Sequence, residues 1–177
     1  MQYTVRYKSP LGDILLASDD AGLTGLWFEG QRYFALHLAA DHIEKETDIL
    51  MQAKKWLDIY FSGHEPDFMP PLHVEGSSFH REVCEIMLSI PYGKNMTYGE
   101  IAQTIASRRG IRKMSARAVG GAVGHNELSI IIPCHRVVGT GGNLTGYGGG
   151  IKRKIRLLEL EGVNMTGFYI PRKGTAL

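Results

Sequence analysis

No stretch of this chain approaches the ~20 apolar residues needed to cross a bilayer. Its opening, Met1-Gln2-Tyr3-Thr4-Val5-Arg6, has neither the charged start nor the apolar core of a secretory signal. These absences predict a soluble, cytoplasmic protein without a membrane partner. Cysteine is scarce, with Cys84 and Cys134 the only two in 177 residues. In an intracellular chain that favours two free thiols over a disulfide. No cysteine pair has zinc-finger spacing, and none of the seven histidines falls in a His-x-x-x-His or similar pattern, so nothing calls for a metal.

The hydrophobic fraction of 44% is ordinary for a soluble globular protein. The net charge of +2 hides an uneven distribution. Residues 1–76 hold 6 Lys/Arg and 12 Asp/Glu, a net of −6, whereas residues 77–177 hold 14 and 6, a net of +8. An acidic first half and a basic second half suggest two units, the second facing a polyanion. A basic face that binds nothing is the plain alternative.

The first half opens on alternation. Tyr3, Val5 and Tyr7 mark a strand, Ile14–Ala17 a second and Leu23–Phe28 a third, with turns at Pro10-Leu11-Gly12 and Asp19–Gly22. Ile49, Leu50, Ala53, Trp56, Leu57 and Tyr60 recur at helical spacing and predict a helix over Asp48–Phe61. Residues 64–76 hold three prolines and no period, and read as a linker. The second half reads as mainly helical. A helix over Ser78–Ser89 stops at Pro91-Tyr92-Gly93. Thr97 and Glu100 have capping-box spacing, and Ser115 caps Ala116–Val123. Two short helices joined by a basic loop make a helix-turn-helix pattern. Gly120 and Gly121 inside the second helix fit close approach either by a DNA backbone or by a packed neighbour. Residues 139–150 contain seven glycines, without the Gly-Lys-Ser/Thr of a phosphate-binding loop, and suggest a segment lining a site. A last helix spans Ile151–Glu161.

The run Ile130-Ile131-Ile132-Pro133-Cys134-His135-Arg136-Val137-Val138 carries the chemistry. Its branched apolar residues predict a buried strand broken at Pro133. A thiol flanked by imidazole and guanidinium has a setting that favours thiolate. Cys84, on an apolar helix face, reads as packing. Neighbours on a strand point to opposite faces, so His135 would reach Cys134 only through a distorted backbone or a water. A third group should orient the histidine, and Glu161, Glu100, Glu127 and Glu159 all qualify by type.

Pro133-Cys134-His135-Arg136-Val137, preceded by Arg117–Asn126 and, in order, by Pro91-Tyr92-Gly93 and Thr97-Tyr98-Gly99-Glu100, closely resembles the O6-alkylguanine-DNA alkyltransferases, also called methylated-DNA–protein-cysteine methyltransferases. The resemblance covers roughly residues 77–165 strongly and the first half weakly. It implies an α+β protein. Residues 1–76 would form a small RNase H-like sheet domain with a helix and a linker. Residues 77–177 would form a mostly helical winged helix-turn-helix domain that binds DNA and accepts the alkyl group. The implied partner is double-stranded DNA containing O6-alkylguanine, and by extension O4-alkylthymine. The protein would be a monomer without a cofactor.

The resemblance also implies roles. Cys134 would accept the alkyl group, His135 would act as base through a water, and Glu161 would polarise His135. Asn126 would join the DNA-reading helix to the active-site segment. Tyr98 would help rotate the target phosphate outward and donate to the leaving guanine. Arg117 would enter the duplex where the nucleotide has flipped out, and Ser115, Ala118, Gly121 and Arg136 would contact DNA. Val137, Tyr147, Gly148 and Gly149 would line the base pocket. Arg108, Arg109, Lys113 and Lys152 would supply phosphate affinity. Cys84 replaces a tryptophan common in relatives. Gly148 replaces a polar residue of some relatives, leaving room for larger alkyl groups. Three rivals remain in view: a non-catalytic lesion binder, against which Cys134 speaks; a cysteine hydrolase; and a transcriptional regulator.

Overall fold

A computed structural model of the protein describes residues 1–172. Two units emerge, the first formed by Met1–Glu75 with Glu127–Ser129, the second by Gly76–Asn126 with the chain from Ile130 onward.

In the first unit, the alternating segments form an antiparallel meander of β1 (Tyr3–Ser9), β2 (Gly12–Ser18) and β3 (Leu23–Phe28). A two-residue strand, β4 (Ile43–Glu44), pairs parallel to β1, giving the order β3-β2-β1-β4. Two residues are too short to show a period, so sequence patterning gave no sign of it. Helix α1 (Asp48–Phe61) starts at Thr47, whose hydroxyl accepts from Leu50 N at 3.3 Å. It buries Leu50, Ala53, Trp56, Leu57 and Tyr60 and packs on β1, β2 and β3. Each such large side chain stabilises the unit by about 1.5–3 kcal/mol. Part of the segment expected as a linker is paired. Leu23 N donates to Pro71 O and His73 N to Leu23 O, both at 2.8 Å. Proline offers a carbonyl to such an edge although it lacks a donor. Further along β3, Leu26 N donates to Glu127 O at 2.7 Å and Ser129 N to Leu26 O at 3.1 Å.

In the second unit, α2 (Ser78–Leu88), α3 (Tyr98–Arg109) and α4 (Ala116–Gly124) pack on one another. Their core includes Val83, Ile86, Met87, Ile101, Ile105, Val119 and Val123. The expected capping box forms. Thr97 N donates to Glu100 Oε2 at 2.6 Å and Glu100 N to Thr97 Oγ1 at 3.1 Å, which also holds the Glu100 carboxyl below its ordinary range. Ser115 caps α4 through Ala118 N at 3.3 Å. Strand β5 (Met96–Thr97) pairs parallel with β6 (Val137–Val138) to make a small wing. Helix α5 (Ile151–Leu160) follows the glycine-rich loop. Val138, Leu144 and Leu158 then form a small core with Ile151, Ile155, Val163, Met165 and Phe168 around it. The architecture is therefore α+β, a sheet unit and a mostly helical unit. Among the described residues, no helix is long and apolar enough to cross a membrane.

Candidate active site

Of the strand expected on both sides of a break at Pro133, the part before the break, Ile130–Ile132, does not form. Only Val137–Val138 is strand; Cys134–Arg136 is a single 3-10 turn, and Ile130 sits at φ 69°. A β-branched residue in that left-handed region is strained. The reason lies in where the backbone groups go. Cys134 N donates to Ile132 O at 2.8 Å and Arg136 N to Pro133 O at 2.9 Å, so the chain satisfies itself locally instead of pairing in a sheet. Asn126, just after α4, closes this turn. Its Nδ2 donates to Ile132 O at 2.8 Å and to Cys134 Sγ at 3.1 Å. The sulfur is thereby fixed with only 4% of the residue exposed.

The four glutamates separate by geometry. Glu100 caps α3, Glu127 meets His37 and Glu159 meets Arg156. Glu161, at the end of α5, lies 2.6 Å from His135 Nε2, and both side chains are fully buried. The same carboxylate accepts from Arg136 Nε at 2.9 Å, Arg136 Nη2 at 3.1 Å and Gly93 N at 3.0 Å. Gly93 stands at φ 72°, and a Cβ there would come within 2.9 Å of Glu161 O. The Pro91-Tyr92-Gly93 turn is thus the cradle of Glu161. Arg136, expected at the DNA surface, is 9% exposed. Its guanidinium also donates to Ile90 O at 2.6 Å and lies over the Tyr92 ring. A bidentate arginine–carboxylate pair of this kind is among the stronger polar contacts.

These contacts set the proton positions. Burial alone would raise the Glu161 carboxyl, but the bonds and charges of His135 and Arg136 hold it at about 2. Burial pushes His135 below its ordinary value in spite of Glu161. A neutral ring facing a carboxylate is assigned its proton on Nε2, which leaves Nδ1 as the acceptor. The expectation that His135 and Arg136 favour a thiolate is corrected. Burial pushes the Cys134 thiol up, and the Asn126 bond and the charge of Lys154 offset only part of that. Arg136 contributes little here because its charge is committed to Glu161. Cys84 is buried too, and its thiol is pushed up to about 12.

The glycine-rich loop comes to this turn through Tyr98 and Lys154. Tyr98 Oη lies 3.2 Å from Thr145 O and 3.0 Å from Gly146 O. A Cβ at Gly146 (φ 87°) would collide with that hydroxyl. Tyr147 is buried, with its ring edge-on to His135 at 6.5 Å between centroids, and it lies over Gly149. Lys154 Nζ donates to Val137 O at 2.5 Å and Thr145 O at 3.0 Å. Sequence reasoning passed over this lysine. Its one signal was its place in the apolar stripe of α5, with Ile151, Ile155 and Leu158.

The outer face of α4 is bare. Ser115, Arg117, Ala118 and Gly121 are exposed, and a Cβ on Gly121 would meet nothing within 4 Å. Packing inside the chain therefore does not demand glycine at 121. Of the basic residues expected to meet phosphates, Arg108 pairs with Glu85 at 3.0 Å and Arg109 with Glu82 at 2.7 Å. Arg112, Lys113 and Lys152 are exposed.

Two family models match the chain. Residues 1–74 match the ribonuclease-like domain of 6-O-methylguanine DNA methyltransferase, and residues 78–163 match its DNA binding domain. The methylated-DNA–protein-cysteine methyltransferase of Mycobacterium tuberculosis is 42% identical over 153 residues, 86% of this chain and 88% of the relative. That of Methanosarcina acetivorans is 39% identical over 163 residues, 92% and 99% of the two chains. Among solved structures, the M. tuberculosis O6-methylguanine methyltransferase aligns with a TM-score of 0.76 at 40% identity, over 91% of this chain and 93% of its own. The M. tuberculosis protein in complex with DNA aligns with a TM-score of 0.73 at 40% identity, over 90% and 91%.

Proposed function

The chain belongs to the 6-O-methylguanine DNA methyltransferase family, and on that premise we infer that it repairs DNA by moving the alkyl group of O6-alkylguanine onto Cys134. The observation that carries this reading is a buried sulfur held 3.1 Å from Asn126 Nδ2, followed in the chain by a histidine paired to a buried glutamate. A lesion binder without chemistry has no use for that arrangement.

The steps follow from the proton positions. The Cys134 proton leaves toward His135 Nδ1 through a water, while ionised Glu161 stabilises the imidazolium that forms. Sγ attacks the alkyl carbon as the bond from that carbon to O6 breaks, and the electron pair stays with the guanine. The guanine takes up a proton at its ring, donated by Tyr98 and replaced by way of His135. In sum, the thiol proton ends on guanine and the alkyl group on sulfur. A thioether is not released by water, so each molecule acts once.

Delivery of the base is the work of α4. Its small exposed residues Ser115, Ala118 and Gly121 allow the helix backbone to approach the minor groove. The target base leaves the stack at a cost of a few kcal/mol, and Arg117 offsets part of it by filling the gap. Asn126 links α4 to the reactive turn, and Tyr98 helps turn the nucleotide outward. Val137, Tyr147, Gly148 and Gly149 receive the base. Arg112, Lys113 and Lys152 bind phosphates without reading sequence. Arg136 serves the site from inside, by fixing Glu161. The protein works as a cytoplasmic monomer, with O4-alkylthymine as a second substrate. Residues 1–76 serve as support and residues 77–177 as the DNA-binding and acceptor domain.

Incubation with a duplex bearing O6-methylguanine, followed by mass analysis, tests the reading. The expected result is one added methyl on Cys134, absent in Cys134→Ala. Repeated turnover, or a methyl elsewhere, overturns it. Rates on O6-methyl- and O6-benzylguanine test the room that Gly148 leaves, since a severe loss on the larger group contradicts a wider pocket.

A further inference from the structure

Helix α5 carries a lysine on its apolar face. Lys154 is fully buried, in a stripe with Ile151, Ile155 and Leu158. Its ammonium reaches Val137 O at 2.5 Å and Thr145 O at 3.0 Å. The first carbonyl belongs to β6, the strand leaving the Cys134 turn; the second belongs to the glycine-rich loop. Thr145 O also lies 3.2 Å from Tyr98 Oη. One cation therefore ties the strand that leaves the reactive turn to the glycine-rich loop that follows it.

The position is an unfavourable one for a cation. Burial strips the ammonium of water. It lies in the first turn of a helix, where the dipole opposes positive charge, next to Lys152 and Arg153. Burial accordingly brings Lys154 down to about 8. A methionine of similar length would fill the stripe without these penalties. What methionine lacks is donors for the two carbonyls.

Resting on the alkyl-transfer reading above, we propose that Lys154 is a positioning residue of the reaction, whose ammonium fixes the Val137 and Thr145 carbonyls against each other and so sets the shape of the base pocket. The Lys154 charge also favours the thiolate, an effect both reagents feel alike, so the ratio of two reagents' rates isolates the pocket. Free O6-benzylguanine must occupy the pocket to react with Cys134. Iodoacetamide needs only the sulfur.

In Lys154→Met the benzylguanine rate falls on the order of tenfold and its half-saturating concentration rises, while the iodoacetamide rate changes far less. Lys154→Gln, whose amide keeps donors without charge, recovers part of the loss. Parallel slowing with both reagents, no slowing, or a glutamine variant no better than methionine overturns the proposal. Should Lys154→Met fail to fold, the wild-type protein carries the test. The ratio of the two rates then falls as pH rises through about 8, where the ammonium loses its proton. Among the groups around it, Cys134 cancels in the ratio, neutral His135 titrates lower and Tyr98 titrates higher; the Arg153 guanidinium is held on Gly149 O at 3.1 Å. A flat ratio overturns the proposal. Wild-type protein inert to O6-benzylguanine and to O6-methylguanine duplex would instead sink the alkyl-transfer reading itself.

Discussion

The reactive turn and the outer face of α4 lie in the same unit and are built on opposite rules. Around Cys134–Arg136 each polar side chain has a partner: Asn126 on the sulfur, Glu161 on His135, and Glu161 with Ile90 O on Arg136. On α4, Arg117 and Gly121 face outward, and nothing approaches a Cβ at 121. A bond-breaking step needs its groups held in place before substrate arrives. A helix that must lie against a duplex needs the reverse, a surface that leaves room. Changes in the first region should harm chemistry, and those that strip a buried charge of its partner should harm folding as well. Changes in the second should harm DNA handling and leave the fold alone.

The sharpest break comes at the sulfur. Cys134→Ala should abolish alkyl uptake completely, by mass analysis, and still bind O6-methylguanine duplex in a mobility-shift measurement. Loss of binding along with uptake would merge the two regions. Next is Glu161→Gln. It should slow transfer by roughly a hundredfold or more and lower unfolding stability by about 3 kcal/mol, because Arg136 is left with an unpaired buried charge. The pH dependence follows from the same group. Its folded value, about 2, is depressed below the ordinary 4.5. Its stabilisation is therefore complete above the ordinary value and is lost as pH falls from about 4.5 toward 2. Across that window the urea midpoint of the wild type should fall with pH more steeply than that of Glu161→Gln.

Arg117→Ala should cut the single-turnover rate on duplex by about tenfold or more while leaving the rate on free O6-benzylguanine and the melting midpoint where they are. A matching loss on the free base would show that α4 reaches into the chemistry. The smallest effect has opposed signs. Gly121→Ala should raise stability by up to about 1 kcal/mol, since alanine is the better helix former, and weaken duplex binding. Tighter binding would mean that the bare surface is not the contact.

The helices were legible in the sequence because periodicity and caps are local signals. Asp48–Phe61, the Thr97–Glu100 box and the Ser115 cap follow from residues within a turn of one another. The reactive turn was misread for the same reason. Ile130–Ile132 looks like a strand by composition, yet the partners that bend it, Asn126 Nδ2 above all, come from outside the run. The DNA contact of Arg136 came from the resemblance alone, and the partner that holds it inside lies 25 positions away, beyond any local pattern. The choice of Glu161 over Glu100, Glu127 and Glu159 was open to spacing and needed a resemblance; in space it is unambiguous. Lys154 was passed over because lysine in an apolar stripe usually reaches out to water, and here it turns inward to two carbonyls.

Glu161 also bears on timing. The carboxylate that completes the His135 pair is 26 residues further along the chain than the histidine. A ribosome adding about 5–20 residues per second makes the sulfur seconds before it makes the helix end that orients its base. Through that interval the nascent chain already holds Asn126, Cys134 and His135 but lacks the acid behind them. The site is therefore armed last, once the chain has passed α5, and a polypeptide stalled before that point carries a thiol and no relay to activate it.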